Sequence, residues 1–357
     1  MKDLIYALSV FLAAFTSAAV MTGVVRKLAL RKGILDVPNE RSSHFTVTPR
    51  GGGLAVAAVV LSGIALLALA GTTSRHFLVA TIGGGGLVAT VGWLDDTRHV
   101  PARWRFLVHA VAAGMAVAML GGTQWLGAAA ASSILQAVCA TLAFLGLIWA
   151  TNLYNFMDGI DGLAASTAVI AGLAATALLW RASSPELAFT ALLLAAASAG
   201  FLVWNWAPAR IFMGDCGSGL LGFLFGTLAL ASANASAVSI LAWLTLFGAF
   251  LADATITLLR RVARGEPWYT AHRSHAYQRA VQYGWSHGRV TRSAVALNLI
   301  LVSLAVTGEV YPEVRFATAT AALAILGTVY AVIERHCPMH PRARREAVKD
   351  RRAESSK

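Results

Sequence analysis

Amide and carboxylate side chains recur at every third position near the middle of the chain. In order, they are Asn152, Asn155, Asp158 and Asp161. A spacing of three places neighbouring members on adjacent turns of one helical face. Oxygen-bearing side chains of this kind suit a hard divalent cation or hydrogen bonds to a nucleotide. The alternative interpretation is a hydrophilic loop built on an Asx turn.

Two adjacent carboxylates, Asp95 and Asp96, follow an apolar stretch further upstream. Neighbouring carboxylates repel each other, so the pair is favourable mainly where a cation or a basic group compensates the charge. A metal ion would do so, and so would the nearby Arg98, Arg103 and Arg105. The sequence leaves both interpretations open.

A third polar segment surrounds Asp215, which lies in a glycine-rich turn that opens an apolar helix. Backbone N–H groups and the helix dipole at such a start favour phosphate. Phe212 could stack on a base, and Asn205 precedes the same turn. A turn with a helix-capping aspartate is the alternative.

Histidine and arginine are interspersed in a later segment, which contains His272, Arg273, His275 and Arg279. Two histidines three residues apart beside two arginines form a cationic face suited to a diphosphate. A zinc site would need further ligands at fitting spacing, which this segment lacks. A solvated basic loop is the alternative.

Polar residues also fill the first long connection, which contains Asp36, Asn39 and Arg41. Pro38 and Pro49 forbid a continuous helix there and predict an ordered loop. The residue types alone fit a solvated basic loop equally well.

Long apolar stretches separate these motifs. The 357 residues are 57% hydrophobic and 13% charged, whereas soluble globular chains carry roughly 25% charged residues. We therefore predict an all-α, polytopic integral membrane protein with eleven transmembrane helices, or ten if 219–233 is not a span. The predicted spans are residues 4–25, 51–71, 77–93, 106–121, 133–151, 162–180, 186–205, 219–233, 236–259, 293–309 and 316–333.

Positive charge sets the predicted orientation. Of the 29 Lys and Arg residues, 25 fall in connections that alternate spans place on one side. The exceptions are Lys2, Arg75, Arg181 and Arg315. Because basic connections stay cytoplasmic, the N-terminus is predicted outside, and the C-terminus and all of these motifs inside. The charge order around the first span is wrong for a cleaved signal peptide, so that span is predicted to remain a helix.

The predicted organisation is one integral membrane domain, residues 1–334, followed by a basic cytoplasmic tail, residues 335–357. The three cysteines have neither disulfide nor metal-site spacing. Topology and contact with anionic lipid explain the net charge of +12 better than nucleic acid does. Asp253, inside the ninth predicted span, is a functional candidate by default, with a salt bridge or hydrogen bond to a neighbouring helix as the alternative.

Taken together, these motifs make the sequence similar to the polyprenyl-phosphate N-acetylhexosamine-1-phosphate transferases of glycosyltransferase family 4. The resemblance covers nearly the whole chain. The catalytic residues that it implies are Asp95, Asp96, Asp158, Asp161, His272 and His275. The implied substrate-binding residues are Asp36, Asn39, Arg41, Asn152, Asn205, Phe212, Arg273 and Arg279. The implied ligands of Mg²⁺, or of Mn²⁺ in its place, are Asn155 and Asp215.

The segment from His272 to His275 lacks the adjacent histidines of the phospho-MurNAc-pentapeptide translocase, which argues against a pentapeptide substrate. It most resembles the O-antigen-initiating branch. That resemblance implies a UDP-N-acetylhexosamine donor, either GlcNAc or a 6-deoxy sugar such as FucNAc or QuiNAc. Transfer to undecaprenyl phosphate would give undecaprenyl-diphospho-HexNAc and UMP, the first membrane step of a surface polysaccharide such as O-antigen or a cell-wall glycan.

The same resemblance implies a multi-pass protein of the bacterial cell membrane with its active site on the cytoplasmic face. No nucleic-acid partner is expected, and the sequence leaves a homodimer open. A secondary transporter would instead place its ionisable groups near the bilayer midplane, in paired repeats. A flippase or lipid-binding scaffold would need no carboxylates suited to metal binding. Release of UMP separates the enzyme from both alternatives.

Overall fold

Helices dominate the computed structural model, which describes residues 2–38, 44, 46–124, 132–267 and 272–339. Two short antiparallel strands, β1 (Leu35–Asp36) and β2 (Thr48–Pro49), form a hairpin in the first connection. The helices are α1 (Lys2–Lys32), α2 (Gly53–Leu69), α3 (Arg75–Leu78), α4 (Gly85–Arg98), α5 (Ala102–Leu120), α6 (Ser133–Phe156), α7 (Leu163–Arg181), α8 (Pro185–Asn205), α9 (Asp215–Asn234), α10 (Ile240–Leu246), α11 (Gly248–Val262), α12 (Ala276–Gln282), α13 (His287–Val310) and α14 (Arg315–His336).

These helices confirm the prediction of an all-α, polytopic membrane protein. Within the described ranges, nine are long and apolar enough to cross a membrane, counting α3 and α4 as one through the π-helical turn Val79–Gly84. The bent pair of α10 and α11 makes a tenth. Helix α2 is apolar but has only 17 residues. Together these helices correspond one to one with the eleven predicted spans.

Helix α9 lies at the centre of the bundle. Its predicted span, 219–233, is the shortest of the eleven, yet 83% of its most apolar window is buried inside the protein. Glycines allow the close packing, since a Cβ on Gly222 would collide with the Ala150 carbonyl oxygen of α6. A helix surrounded by other helices in this way can hold its N-terminus, at Asp215, in a fixed position.

The predicted single span 236–259 is wrong as a continuous helix. Helix α10 ends at Leu246 and α11 begins at Gly248, with a bend of 79° between them. Phe247 fills the bend and packs its ring 4.9 Å from that of Phe225. The apolar character continues through the break, so hydropathy alone gives no sign of it.

Hydrogen bonds between connections define two ends of the bundle. At one end, Asn234 of α9 donates to the Leu120 carbonyl at the end of α5, and the Ser74 amide donates to Glu186. These connections are the ones predicted to lie outside. The polar motifs meet at the opposite end, which we call the motif end. Residues 340–357, most of the predicted tail, lie outside the described ranges.

Candidate active site

Asp96 links helices α4 and α9 at the motif end. Its carboxylate accepts hydrogen bonds from the Asp215 amide, at 2.9 Å, and from the Cys216 amide, at 3.1 Å. The first N–H groups of α9 are thereby capped by a side chain from another helix. Gly214 adopts φ +77°, and a Cβ there would lie 2.5 Å from Asp96 Oδ2. This capping fixes the Asp215 side chain beside the Asp95–Asp96 pair.

Two arginines bridge the three carboxylates. Arg50 Nε lies 2.8 Å from Asp96 Oδ1, and its Nη2 lies 2.9 Å from Asp215 Oδ1. Arg105 Nη1 lies 2.8 Å from Asp95 Oδ2 and 2.6 Å from Asp215 Oδ2. Burial disfavours the charge on Arg50, but Asp96 and Asp215 raise its pKa above the ordinary value all the same. Three carboxylates and two guanidiniums therefore form one cluster, which we call the Asp–Arg cluster.

The segment 152–161, which contains the four regularly spaced polar residues and which we call the central motif, joins this cluster through two of these residues. A side-chain hydrogen bond links Asn155, in the last turn of α6, to Asp215. Asp158 accepts a hydrogen bond from the Gly214 amide. Burial raises the pKa of Asp158 well above its usual range, and the charges of Asp215 and Asp96 add to the effect. The structure thus brings Asn155 and Asp158 to the start of α9, where the sequence predicted a shared site.

Asn152 lies one turn earlier and contacts a histidine that the sequence did not single out. Its Nδ2 donates to the Ile148 carbonyl at 2.8 Å, and its side chain is hydrogen-bonded to His109. His109 follows Arg105 by one turn of α5 and is 8% exposed. Asn152 therefore borders the Asp–Arg cluster through His109.

Asp161 and Asn205 face a different set of partners. Asp161 accepts from the Ala209 amide at 3.0 Å and lies 3.0 Å from His287 Nδ1. Asn205, which is buried, accepts from the Gly162 amide and donates to the Ile211 carbonyl, both at 3.0 Å. These two residues, predicted as catalytic and substrate-binding, brace the loops around the site. The structure does not bring them to Asp215.

Phe212 packs against the first connection. Its ring lies 4.8 Å from the His44 ring, and its amide donates to the Pro49 carbonyl of β2 at 2.8 Å. His44 in turn lies 3.7 Å from Asp36. The hairpin thus holds Phe212 and Asp36 on the same side of the site. Asn39 and Arg41, also predicted to bind substrate, lie outside the described residues.

The two histidines of the basic segment, His272 and His275, lie together, with their ring centroids 4.9 Å apart. The His275 ring is also 6.1 Å from that of Phe156, which belongs to the central motif. Burial lowers the pKa of His272 to about 4, and the nearby His275 and Arg261 add to the effect. His272 is consequently neutral at physiological pH and contributes no positive charge.

The two predicted motif arginines differ in their surroundings. Arg273 is exposed. Arg279 is 3% exposed and is engaged by Glu334 of α14, at 2.7 Å, and by the Cys337 carbonyl, at 2.6 Å. Its guanidinium therefore ties α12 to α14, and the structure does not bring it to the Asp–Arg cluster.

The site offers oxygen donors for Mg²⁺ without forming a closed cage. In the described part of the chain, no three His, Cys, Asp or Glu side chains converge as a metal site. Mg²⁺ does not require one, since it commonly binds through one or two carboxylates together with substrate phosphates and water. Asp215 and Asn155, already linked by a hydrogen bond, fit such a donor set.

Sequence reasoning missed Arg50 and His109 as site residues and treated Arg105 only as one of three compensating charges. Arg105 had a local signal, because it follows Asp95 by ten positions. Arg50 precedes Asp215 by 165 positions. No local pattern can predict a contact between residues so far apart in sequence.

The family follows from comparison with known proteins. The model of the family described as "Glycosyl transferase family 4" matches residues 77–233, a range that includes Asp95, Asp96, Asp215 and the central motif. Relatives that are 30% and 32% identical to the chain, over 78% and 75% of its length, carry names of the same enzyme class. The chain is a multi-pass membrane protein that belongs to the polyprenyl-phosphate N-acetylhexosamine-1-phosphate transferase superfamily.

Three relatives show the extent of the similarity. The chain is 30% identical over 282 residues to the probable undecaprenyl-phosphate N-acetylglucosaminyl 1-phosphate transferase of Bacillus subtilis, covering 78% of each protein. It is 32% identical over 304 residues to the decaprenyl-phosphate N-acetylglucosaminephosphotransferase of Mycolicibacterium smegmatis, covering 75% of this chain and 73% of the relative. An undecaprenyl-phosphate alpha-N-acetylglucosaminyl 1-phosphate transferase of Salmonella typhi is 27% identical over 318 residues, which are 86% of this chain and 85% of the relative.

Proposed function

We propose that the protein transfers N-acetylglucosamine 1-phosphate from UDP-N-acetylglucosamine to undecaprenyl phosphate, which gives undecaprenyl-diphospho-N-acetylglucosamine and UMP. One observation carries the proposal: the Asp–Arg cluster lies at one end of a membrane-spanning bundle. A diphosphate from water and a lipid phosphate from the bilayer can meet at that level. The product would begin a surface polysaccharide.

The choice of sugar is supported by the names of the three relatives, each of which specifies N-acetylglucosamine. The 6-deoxy sugars FucNAc and QuiNAc are the alternatives that the sequence leaves open. Both sugars lack the 6-hydroxyl group of GlcNAc, and FucNAc also differs from GlcNAc in the configuration of its ring hydroxyls. A panel of UDP-sugars therefore tests this part of the proposal separately from the reaction class.

In the proposed reaction, an oxygen of the lipid phosphate attacks the sugar-bearing phosphorus of the UDP-sugar. The bond from that phosphorus to the bridging oxygen breaks, and UMP leaves with the oxygen and its electron pair. A phosphate monoester has a second pKa near 6, so the attacking group is already largely dianionic. Asp95 therefore serves to position the attacking group more than to remove a proton.

Asp215 and Asn155 would hold Mg²⁺, which would withdraw negative charge from the diphosphate oxygens and make UMP a better leaving group. Arg50 and Arg105 donate to carboxylates in the structure. A diphosphate presents oxygens of the same charge and geometry, so it competes with Asp215 for these guanidiniums. Donors aimed at the transferred phosphoryl group stabilise the charge that develops on it.

In the proposed site, His272 would form hydrogen bonds to the substrate rather than supply a positive charge, because burial lowers its pKa to about 4. Arg273 lies in the same segment and is exposed to solvent. In the proposed reaction, it would supply the positive charge of this segment. We place this face in the cytoplasm, because the described parts of the basic connections lie at the motif end and nucleotide sugars are cytosolic.

The proposal is tested with the purified full-length protein in lipid nanodiscs, supplied with undecaprenyl phosphate, Mg²⁺ and a panel of UDP-sugars. The expected result is UMP release that requires both the lipid phosphate and UDP-N-acetylglucosamine. A transporter or flippase would release no UMP. A higher rate with UDP-FucNAc or UDP-QuiNAc would overturn the sugar, and robust turnover of UDP-MurNAc-pentapeptide would overturn the substrate class.

A further inference from the structure

Asp253 is a buried carboxylate of α11 that the proposed mechanism leaves without a role. It is 7% exposed and lies in a helix that forms part of the membrane domain. A carboxylate in such a position is costly unless its oxygens are satisfied. Its partners therefore indicate why it is present.

Both oxygens of Asp253 are occupied by the start of helix α12. The Ala276 amide donates to Oδ1 at 2.7 Å, and the Tyr277 amide donates to Oδ2 at 3.1 Å. Thr257, one turn further along α11, donates to Oδ1 at 3.1 Å and fixes the side-chain orientation. Asp253 thus caps α12 from a different helix, as Asp96 caps α9.

This cap also fixes the histidine that precedes α12. His275 Nδ1 lies 3.5 Å from Asp253 Oδ1, and the ring is almost completely buried. The His275 amide is held separately by Gln278 Oε1, at 3.3 Å. The orientation of His275 therefore depends on the carboxylate beneath it and on the first turn of α12.

Tyr277 carries the contact onward to the central motif. Its hydroxyl donates to the Phe156 carbonyl at 2.9 Å. A Cβ on Gly159 would collide with the same hydroxyl, so the absence of a side chain there gives Tyr277 room. Asp158 lies between these two contact points in the sequence. Asp253, α12 and Tyr277 thus form a continuous connection from α11 to the loop that contains Asp158.

We propose that Asp253 is a positioning residue for the transfer reaction. Its carboxylate holds the N-terminus of α12, and through Tyr277 it sets the distance between the histidine segment and the central motif. The inference rests on the proposed function, because positioning is useful only if both segments take part in one reaction. The contacts of the Asp253 carboxylate described above are with Thr257, His275 and the start of α12, so it would act through these residues and not directly on the substrate.

The first test is a double-mutant cycle of Asp253→Asn and Tyr277→Phe in the full-length protein. Asn keeps one acceptor oxygen, and Phe removes only the hydroxyl. Each variant is expected to lower kcat about 10-fold or more while KM for UDP-N-acetylglucosamine changes little, since misplacement of reacting groups acts on the transition state. The double variant is expected to lose little more than either single variant, because both break one connection. Effects that multiply would overturn the inference.

A control variant separates positioning from general loss of stability. Asn298→Ala removes a buried hydrogen bond from α13 to Thr167 of α7, at 3.0 Å, and neither residue contacts Asp253 or α12 through it. It is expected to lower the midpoint of thermal unfolding and to leave kcat nearly unchanged. Asn298→Ala shows how much kcat changes for a given fall in the midpoint of thermal unfolding. If the fall of kcat in Asp253→Asn is no larger than this relation gives, Asp253 is a structural residue and the inference is wrong.

The second test does not depend on the reaction. Amide hydrogen exchange is measured for residues 276–282 and 156–162 in the wild type, Asp253→Ala and Asn298→Ala. Asp253→Ala is expected to increase exchange in both segments, and Asn298→Ala in neither. Unchanged exchange at 156–162 would contradict the connection even if the enzyme were active. Lack of transfer activity in the wild type would refute the proposed function. If exchange still increased in both segments of Asp253→Ala, Asp253 would connect the two segments, but its positioning role in the transfer reaction would be refuted.

Discussion

Arg50 and Arg105 donate to opposite oxygens of Asp215, and each also reaches a second aspartate. Each guanidinium is therefore shared between carboxylates that would otherwise repel one another. This sharing explains how three carboxylates lie together where a membrane helix ends. It also holds two guanidiniums at the place where, in the proposed reaction, they would bind phosphate oxygens.

We expect Arg105→Ala to lower kcat/KM by about 100-fold or more, because it removes a donor to the transferred phosphoryl group and leaves Asp95 and Asp215 uncompensated. The matched control is Arg103→Ala, since Arg103 is exposed and lies 5.9 Å from the Trp104 ring centroid. That variant should retain nearly full activity. Steady-state UMP release checks both, and equal losses would contradict a specific role for Arg105.

The lowered pKa of His272 predicts how the stability of the protein depends on pH. Its pKa is about 4 in the folded protein and 6.5 ordinarily, so between these values the unfolded chain binds the extra proton more readily. Stability is therefore expected to fall as pH is lowered through this window. His272→Gln should make the fall shallower, whereas His76→Gln, an exposed change at the other end, should not. Thermal unfolding midpoints measured across the window check this, and identical slopes for all three proteins would contradict it.

At the scale of elements, the start of α9 is the part on which the site most depends. Gly214, in its left-handed conformation, lets Asp96 reach the first amides of the helix. We expect Gly214→Ala to lower both the unfolding midpoint and kcat, because a Cβ is strained at φ +77° and would lie against the Asp96 carboxylate. Gly86→Ala is the control, since a Cβ there would meet no heavy atom of the described residues within 4 Å apart from its own helix backbone and chain neighbours. This variant should be neutral or slightly stabilising. Equal behaviour of the two variants would show that the close approach at Gly214 is unimportant.

The sequence predicted the elements better than their contacts. Apolar runs located the membrane helices, and polar residues at their ends located Asp95, Asp96, Asn155, Asp158 and Asp215. The bend at Phe247 could not be predicted, because the break interrupts the backbone and not the hydropathy. The burial of Arg279 was likewise hidden, since its partner Glu334 lies 55 positions away. The roles of Asp161 and Asn205 in bracing loops depend on tertiary contacts in the same way.

At the scale of the whole molecule, the connections that contact one another at each end agree with an alternation of spans. We predict that residues 260–292 and Lys357 are cytoplasmic and that residues 72–76 and 181–185 are outside, because 25 of the 29 Lys and Arg residues lie on the former side. The native cysteines, Cys139, Cys216 and Cys337, are buried, which favours single-cysteine labelling. An impermeant thiol reagent added to intact cells should label Thr72→Cys but not Ala263→Cys. The reverse pattern would invert the orientation.

The central claim is that a phosphoryl group moves together with the sugar. The most direct measurement uses UDP-N-acetylglucosamine carrying radioactive β-phosphorus and a tritiated sugar, with undecaprenyl phosphate and the purified protein in nanodiscs. We predict that both labels enter the lipid product in equal amounts, that UMP is released in the same amount, and that Asp215→Asn abolishes all three signals. Transfer of the tritium alone with release of UDP, or lipid labelling that persists in Asp215→Asn, would contradict the account.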